Sequence, residues 1–495
     1  MNMNLGEAMK NEANWSVTEN GAEALVSTGS KLLDFYGSLG NYRKDSIFRK
    51  TADFDAAFAE NPLLATKLLF YCRDARGGLG ERQTFRDILR HCADVHTDVV
   101  IKNIPLIGYF GRFDDLYALV GTKAEDEMWL FMKDQFEQDV ENMKLGKPCS
   151  LLAKWIKTPD SSIESTRELG KLTANKLGYP RNKRMYFKKT LKELRKYLDI
   201  VETKISQGNY SEIDYSKMPG KALLRYKKLI ETKDRERYNA YLESVSKGEA
   251  KMNTSVVTPY DVVSKYFNGY YSILDKLDKT VEEMWKNLPD YVDKKDMKNN
   301  LVVCDTSGSM YGDNAILVAL SLAIYAAERN VGMFKDSFIT FSSNPRLQKL
   351  EGDTLVQKLH NLAKADWGMS TNIEAVMDMI LKTAIKYKIP ASEMPVAITI
   401  VSDMQFNSCM KGQQTYIKHF KQKFRDAGYE LPNVIFWNVR NSKSVFHTDK
   451  DENGVQLASG CNASVFASVA KAMNMSPYEA MLKILSNPRY DVVQV

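Results

Sequence analysis

The chain has 495 residues, 44% of them hydrophobic and 26% charged, with a formal net charge of +7. These proportions exclude wholesale disorder and a fibrous chain, and the length implies two or three domains, each with its own core. The charge is uneven: residues 1–150 hold 18 Lys and Arg against 23 Asp and Glu, residues 151–250 hold 23 against 13, and residues 301–495 hold 20 against 18. Positive charge is therefore concentrated in the middle of the chain, where an anionic partner would be attracted.

The opening MNMNLGEAMKNE lacks the basic and then apolar layout of a signal peptide. No stretch reaches the roughly 18 to 20 uninterrupted apolar residues that span a bilayer, so a cytoplasmic protein without a membrane partner is expected. Six cysteines (Cys72, Cys92, Cys149, Cys304, Cys409, Cys461) are scattered without a CxxC pair. That pattern fits neither a disulfide framework nor a zinc knuckle and predicts reduced, mostly buried thiols.

Residues 1–40 read as an N-terminal extension and 41–290 as a helical domain. From about Asn61 to Ala240 apolar residues recur at spacings of three and four, as in Leu191, Leu194, Leu198 and Val201. Gly77-Gly78, Pro105, Gly108, Gly111, Pro180 and Pro219-Gly220 are expected to cut this region into an array of helix pairs. No clean repeat period is visible. Within it, Arg73-Asp74-Ala75-Arg76-Gly77-Gly78-Leu79-Gly80-Glu81-Arg82 reads either as a charged corner, with Arg73 and Arg82 pairing Asp74 and Glu81, or as an Arg-lined phosphate grip. Gly111-Arg112-Phe113-Asp114-Asp115-Leu116 reads as a structural turn.

Near residue 290 the pattern changes. The polar run 293–300 leads into the apolar Leu301-Val302-Val303-Cys304, which reads as a linker entering a buried strand and opens a domain over 297–495. Helices follow over Ile316–Arg329, Asp353–Ala363, Ile373–Tyr387, Thr415–Ala427 and a terminal stretch Ser464–Leu485. Strands are expected over Ser337–Phe341, Val396–Val401 and Asn433–Asn438. This alternation predicts a parallel sheet covered by helices on both faces.

Asp305-Thr306-Ser307-Gly308-Ser309 lies at the carboxyl end of the first strand, where open parallel sheets bind ligands. One Asp and two Ser hydroxyls at alternate positions suit a hard cation such as Mg²⁺, which takes oxygen ligands. The bland alternative is a polar strand-to-helix turn. Two features favour the metal: Gly368-Met369-Ser370-Thr371-Asn372 precedes a helix, so that Thr371 could reach the same point, and Ser402-Asp403 ends a neighbouring strand.

These three elements, in this order, resemble the metal-ion-dependent adhesion site of von Willebrand factor A domains. The resemblance implies a doubly wound sheet in which Ser307 and Ser309 bind Mg²⁺, or Mn²⁺ or Ca²⁺, directly. It implies that Thr371 binds directly or through water, that Asp305 and Asp403 act mostly through water, and that a partner's carboxylate takes the open position. Asn372 departs from relatives that carry an acidic residue there. No nucleophile with a base accompanies the loop in a chain with five histidines, so ligand capture without catalysis is expected.

RDARGGLGER, GRFDDL, LLAKWIKT, the run from Tyr186 to Leu198, Pro219 to Tyr226, VSDMQF and VIFWNVR resemble an uncharacterised domain-of-unknown-function family that occurs in phages and eukaryotes. Its members join a helical region to a von Willebrand factor A domain, an arrangement similar to the Ro autoantigen, whose HEAT-like TROVE ring binds structured RNA. The implied fold is α+α/β: a helical array followed by a doubly wound sheet. The implied function is a metal-binding, RNA-binding scaffold in noncoding RNA quality control. Its basic face would be Arg73, Arg76, Arg82, Lys183, Arg184, Lys188 and Lys189, interleaved with Tyr179, Tyr186 and Phe187. The alternative is a protein-interaction module, including a phage assembly or host-takeover component, whose ion captures an acidic residue of a partner.

Overall fold

The computed structural model of the chain describes residues 9, 12–269, 271–291, 298–341, 345–363, 371–408, 415–440 and 443–495. Packing divides it into two compact units. One comprises Met1–Leu68, Gly77–Leu79 and Thr254–Pro488, and the other Leu69–Arg76, Gly80–Asn253 and Arg489–Val495. The expected division into 1–40, 41–290 and 297–495 follows composition along the chain. Packing instead places the N-terminal segment with the sheet and the last seven residues with the helices.

The sheet unit carries β1 (Trp15–Val17), β2 (Glu23–Leu25), β3 (Asn300–Cys304), β4 (Ser337–Thr340), β5 (Leu347–Lys349), β6 (Ala397–Ser402), β7 (Asn433–Asn438) and β8 (Val455–Ser459). The main sheet has the order β5-β4-β3-β6-β7-β8. All pairings are parallel except that of β5 with β4. Val302 lies opposite Phe338 on one side and Thr399 on the other, and Val401 lies opposite Trp437. Every residue of β3 and β6 is buried, as strands covered on both faces require.

The stretch Gly308–Arg329 is long and apolar enough in composition to cross a membrane, but it is broken by non-helical backbone at Gly312 and Asp313, and 78% of its most apolar window is buried inside the protein. Ala315 to Ala327 are buried without interruption, which is the pattern of a central core helix. Cys72, Cys92, Cys149, Cys304 and Cys461 form no disulfide among the described residues, and Cys409 lies outside them.

β1 and β2 form a hairpin that the sequence did not announce, and bridges from Gly21 to Asn407 and from Leu25 to Phe446 tie it to the sheet unit. The next turn comes so close to the end of β8 that a Cβ on Gly40 would sit 2.4 Å from the Gly460 nitrogen. Only glycine fits there. The expected single helix Ser464–Leu485 is two, Val465–Ala470 and Pro477–Leu485, because Asn474 is left-handed (φ 65°) and Ser476 caps a new start with Glu479.

The helical unit includes Gln83–Val95, Thr97–Phe110, Glu125–Lys144, Glu164–Lys176, Arg184–Tyr197, Gly220–Lys233 and Arg235–Ser246. Gln83–Val95 shows the logic: Phe85, Ile88, Leu89 and Cys92 share its buried stripe. Pro105 and Gly108 do not break a helix as expected but lie inside Thr97–Phe110. Burial of Ile104 and Ile107 on either side of Pro105 outweighs its missing donor, and Gly108 leaves room for the Phe113 ring. The C-terminal segment completes this unit, with Tyr490 stacked on Phe110 at 5.6 Å and Arg489 Nε donating to the buried Asp74 at 2.5 Å.

Candidate metal centre

β3 lies between β4 and β6, while β6 continues the other way to β7, so the strand order reverses between β3 and β6. Loops leaving the carboxyl ends of such a pair diverge and open a crevice. Asp305 is the first residue after β3 and Asp403 the first after β6. Both side chains are fully buried.

Asp305 is held on three sides. Its N–H donates to the Val401 carbonyl at 2.9 Å, its Oδ2 accepts from Ser402 Oγ at 2.5 Å, and its Oδ1 accepts from the Ser307 N–H at 2.9 Å. The Ser307 and Ser309 hydroxyls are 3.1 Å apart. Asp403 Oδ1 accepts from the Gln405 N–H at 3.2 Å, whereas Oδ2, although buried, has no hydrogen-bond partner among the described residues. Burial and then the Asp403 charge push Asp305 up to about 6. Asp403 is also raised, by burial, although the nearby Ser309 hydroxyl, the Gln405 N–H and Arg440 oppose the shift. The Ser309 hydroxyl approaches the carboxyl without hydrogen-bond geometry to Oδ2. Two carboxylates forced together out of water each penalise the other's ionised form.

Thr371 is buried and joins this group indirectly. Its Oγ1 lies 3.0 Å from the Gln405 carbonyl and 3.1 Å from Asn407 Oδ1, and it accepts from Asn20 Nδ2 at 3.0 Å. Asn20 also donates to the Gln405 carbonyl at 2.6 Å. Asn372 caps the helix Ile373–Tyr387 by accepting from the Ala375 N–H. Gly368, Met369 and Ser370 of the expected loop lie outside the described residues.

Two residues at this centre were invisible in the sequence. One is Asn20, from the opposite end of the chain. The other is Arg440, just beyond β7, whose Nη1 donates to the Ser309 carbonyl at 2.6 Å and lies 3.9 Å from Asp403 Oδ2. The backbone makes room for Arg440, since a Cβ on Gly312 would lie 2.7 Å from the guanidinium carbon. Asp313 and Asn314, both left-handed, then turn the chain into the core helix.

Among the described residues no three His, Cys, Asp or Glu side chains cluster as a metal site. The centre is instead two carboxylates with hydroxyls, a set of hard oxygen donors that suits Mg²⁺ or Ca²⁺ better than a soft metal. The unpartnered Asp403 Oδ2 and the mutual repulsion of the two acids fit a cation.

The residues expected to face RNA divide. Arg73 is a correction: it is 4% exposed and its Nε donates to Asp115 Oδ2 at 2.7 Å. It pairs neither with Asp74 nor with solvent, because Asp115 is buried and also accepts from Arg86 Nε at 2.7 Å. Asp74 is taken by Arg489. Arg112 pairs with Asp114 and stacks on Trp155 at 3.7 Å, so GRFDDL is the structural turn the sequence suggested. Arg76, Arg82, Lys183 and Lys189 are exposed, Arg184 is half-buried, and Lys188 pairs with Asp160 at 2.9 Å. Tyr186 is exposed, but Phe187 is core and Tyr179 packs on it at 5.4 Å.

The sequence profile of a domain of unknown function, DUF2828, matches residues 18–146 and 130–297, more than half the chain. The chain belongs to this family. A second profile, the domain of unknown function DUF7788, matches residues 299–480 and covers β3 to β8 in this DUF2828 member. An uncharacterized protein of Acanthamoeba polyphaga mimivirus is 30% identical over 523 residues, an alignment that covers 96% of this chain and 87% of that protein. The resemblance to an uncharacterised family with a helical region ahead of a mostly parallel sheet therefore holds.

Proposed function

We propose that the sheet unit is a von Willebrand factor A-type domain that holds a divalent cation, and that the protein is a non-enzymatic scaffold whose ion captures an acidic group of a partner. Ser307, Ser309 and Thr371 would hold the ion, with Asp305 and Asp403 behind them. When bound, the cation supplies an open position that a carboxylate can fill. The observation that carries this reading is Asp403 Oδ2, a buried carboxylate oxygen with no hydrogen-bond partner among the described residues, close enough to a second buried carboxylate, Asp305, for its charge to be felt there, at a sheet switch point. Thermal unfolding of the full chain with Mg²⁺ and with EDTA tests it. A midpoint that rises with Mg²⁺ in the wild type and stays fixed in Asp305→Ala is expected; an unchanged wild-type midpoint sinks the proposal.

A second reading is Ro-like RNA binding by the helical unit, read as a HEAT-like, TROVE-like array. It is favoured by Met185 and Tyr186, 74% and 69% exposed, beside the exposed Lys183 and Lys189. Aromatic and cationic groups presented together suit bases and phosphates. Filter binding of structured RNA across a salt series tests this. Lys183→Glu with Lys189→Glu should weaken binding and flatten the salt slope by about two, and an undiminished affinity would rule the face out.

A further inference from the structure

The Arg440 guanidinium is fixed at the candidate metal centre by its bond to the Ser309 carbonyl, the backbone of the very residue that would hold the ion. Its Nε is buried without a hydrogen-bond partner among the described residues, and its side chain is 26% exposed. It lies 3.9 Å from Asp403 Oδ2 and 3.9 Å from Asp313 Oδ2, too far for a hydrogen bond to either. Asp313 is already paired with Lys44. A resident cation therefore stands against Asp403 with donors to spare.

Charge counting gives the consequence. Asp305 and Asp403 together balance one divalent ion. Arg440 then leaves the centre with one positive charge in excess, in surroundings too enclosed for water to screen it fully. A single monoanion restores neutrality. A carboxylate matches in charge and in shape, because its two oxygens can meet a metal ion and a guanidinium at once. A nucleic acid fits less well: residues 301–495 carry 20 basic against 18 acidic residues and offer no basic field for a polyanion.

We infer that Arg440 couples the two binding events, repelling the bare cation and anchoring the incoming carboxylate of an acidic protein segment, so that metal and partner bind together. The inference rests on the metal-binding reading above. It adds a residue, a ligand class and a cooperative order of events.

The test is titration of Mn²⁺ into the full chain, followed by electron paramagnetic resonance of the free ion, in chloride buffer alone, with a polyglutamate peptide, and with a single-stranded RNA. Wild type should bind Mn²⁺ weakly alone and several-fold more tightly with polyglutamate. Arg440→Gln should bind Mn²⁺ alone about tenfold more tightly, which corresponds to about 1.4 kcal/mol of repulsion relieved, and should lose the peptide effect. Arg440→Lys, which keeps the charge, should retain weak binding of the bare ion. Equal or weaker Mn²⁺ affinity in Arg440→Gln, with its unfolding midpoint unchanged, overturns the inference while leaving the metal reading intact. If that midpoint drops, the lysine variant decides: Mn²⁺ binding as tight in Arg440→Lys as in Arg440→Gln overturns the inference. Enhancement by RNA in place of polyglutamate overturns the ligand class. Wild-type binding no tighter than that of Asp305→Ala overturns the metal reading itself.

Discussion

Asn20 Nδ2 donates to Thr371 Oγ1 at 3.0 Å across 351 residues of sequence, and the same amide donates to the Gln405 carbonyl at 2.6 Å. Thr18 Oγ1 donates to the Phe406 carbonyl at 2.7 Å, and the Glu19 N–H to Gln405 Oε1 at 2.8 Å. The N-terminal hairpin is thus clamped to the loop that follows Asp403. Asn20→Ala removes both side-chain donations and should cost about 1 to 2 kcal/mol in urea unfolding. Asn20→Asp should cost more, because it turns a carboxylate toward the Gln405 carbonyl. Equal stability of the two variants would show that the amide donors are not what holds the clamp.

The proposed metal centre predicts an opposition between stability and binding. Asp403→Asn removes one of two buried like charges yet leaves an oxygen to accept from the Gln405 N–H. Without divalent ions this variant should be more stable than wild type by about 1 to 2 kcal/mol near pH 7. With Mg²⁺ it should gain nothing. Calorimetric unfolding in EDTA and in Mg²⁺ measures both halves, and a destabilised variant in EDTA would contradict the argument from repulsion.

His447 predicts a pH dependence. It is fully buried, its Nε2 lies 2.9 Å from the Met404 carbonyl and its Nδ1 has no hydrogen-bond partner among the described residues. Burial pushes it down to about 4. A histidine kept neutral by the fold contributes stability that is complete above its unfolded pKa near 6.5 and is lost as pH falls from there toward 4. The loss over that window is on the order of 3 kcal/mol. In His447→Gln, whose amide can still donate to Met404, denaturation between pH 7 and 4 should lose that component of its slope.

Arg73 and Arg82 separate burial from charge. Arg73→Ala leaves Asp115, at 0% exposure, with one cation fewer and should cost about 3 to 5 kcal/mol in denaturant unfolding. Arg82→Ala removes an exposed side chain and should change stability by no more than about 0.5 kcal/mol. If the two substitutions cost the same, the Arg73–Asp115 pair is not a structural element of the helical unit.

Much of the sheet unit was legible in local pattern. The strands Asn433–Asn438 and Asn300–Cys304 and the helix Ile373–Tyr387 stand where apolar runs and caps put them, because fully buried strands are continuously apolar and helices end at their caps. Asp305, Ser307, Ser309 and Asp403 could be chosen because each sits just past such a strand. β5 and β8 were missed for the converse reason. β5 is a three-residue edge strand with two exposed positions, and β8 carries Gln456 and Ser459 within its buried run, so neither shows a clear period.

What the sequence determined by itself was the inventory: α+α/β composition, the basic middle and the loop residues at strand ends. Each follows from composition, apolar runs or helical periodicity along the chain, which need no partner in space. Tertiary structure alone decided which distant groups meet. It brought Asn20 to Thr371, set Arg440 against Asp403, and closed the helical unit with Arg489 and Tyr490 from the end of the chain. It also turned Arg73 inward, because a buried Asp115 costs more to leave unpaired than an exposed arginine gains from water. Such choices compare energies across hundreds of residues, and no local pattern records them.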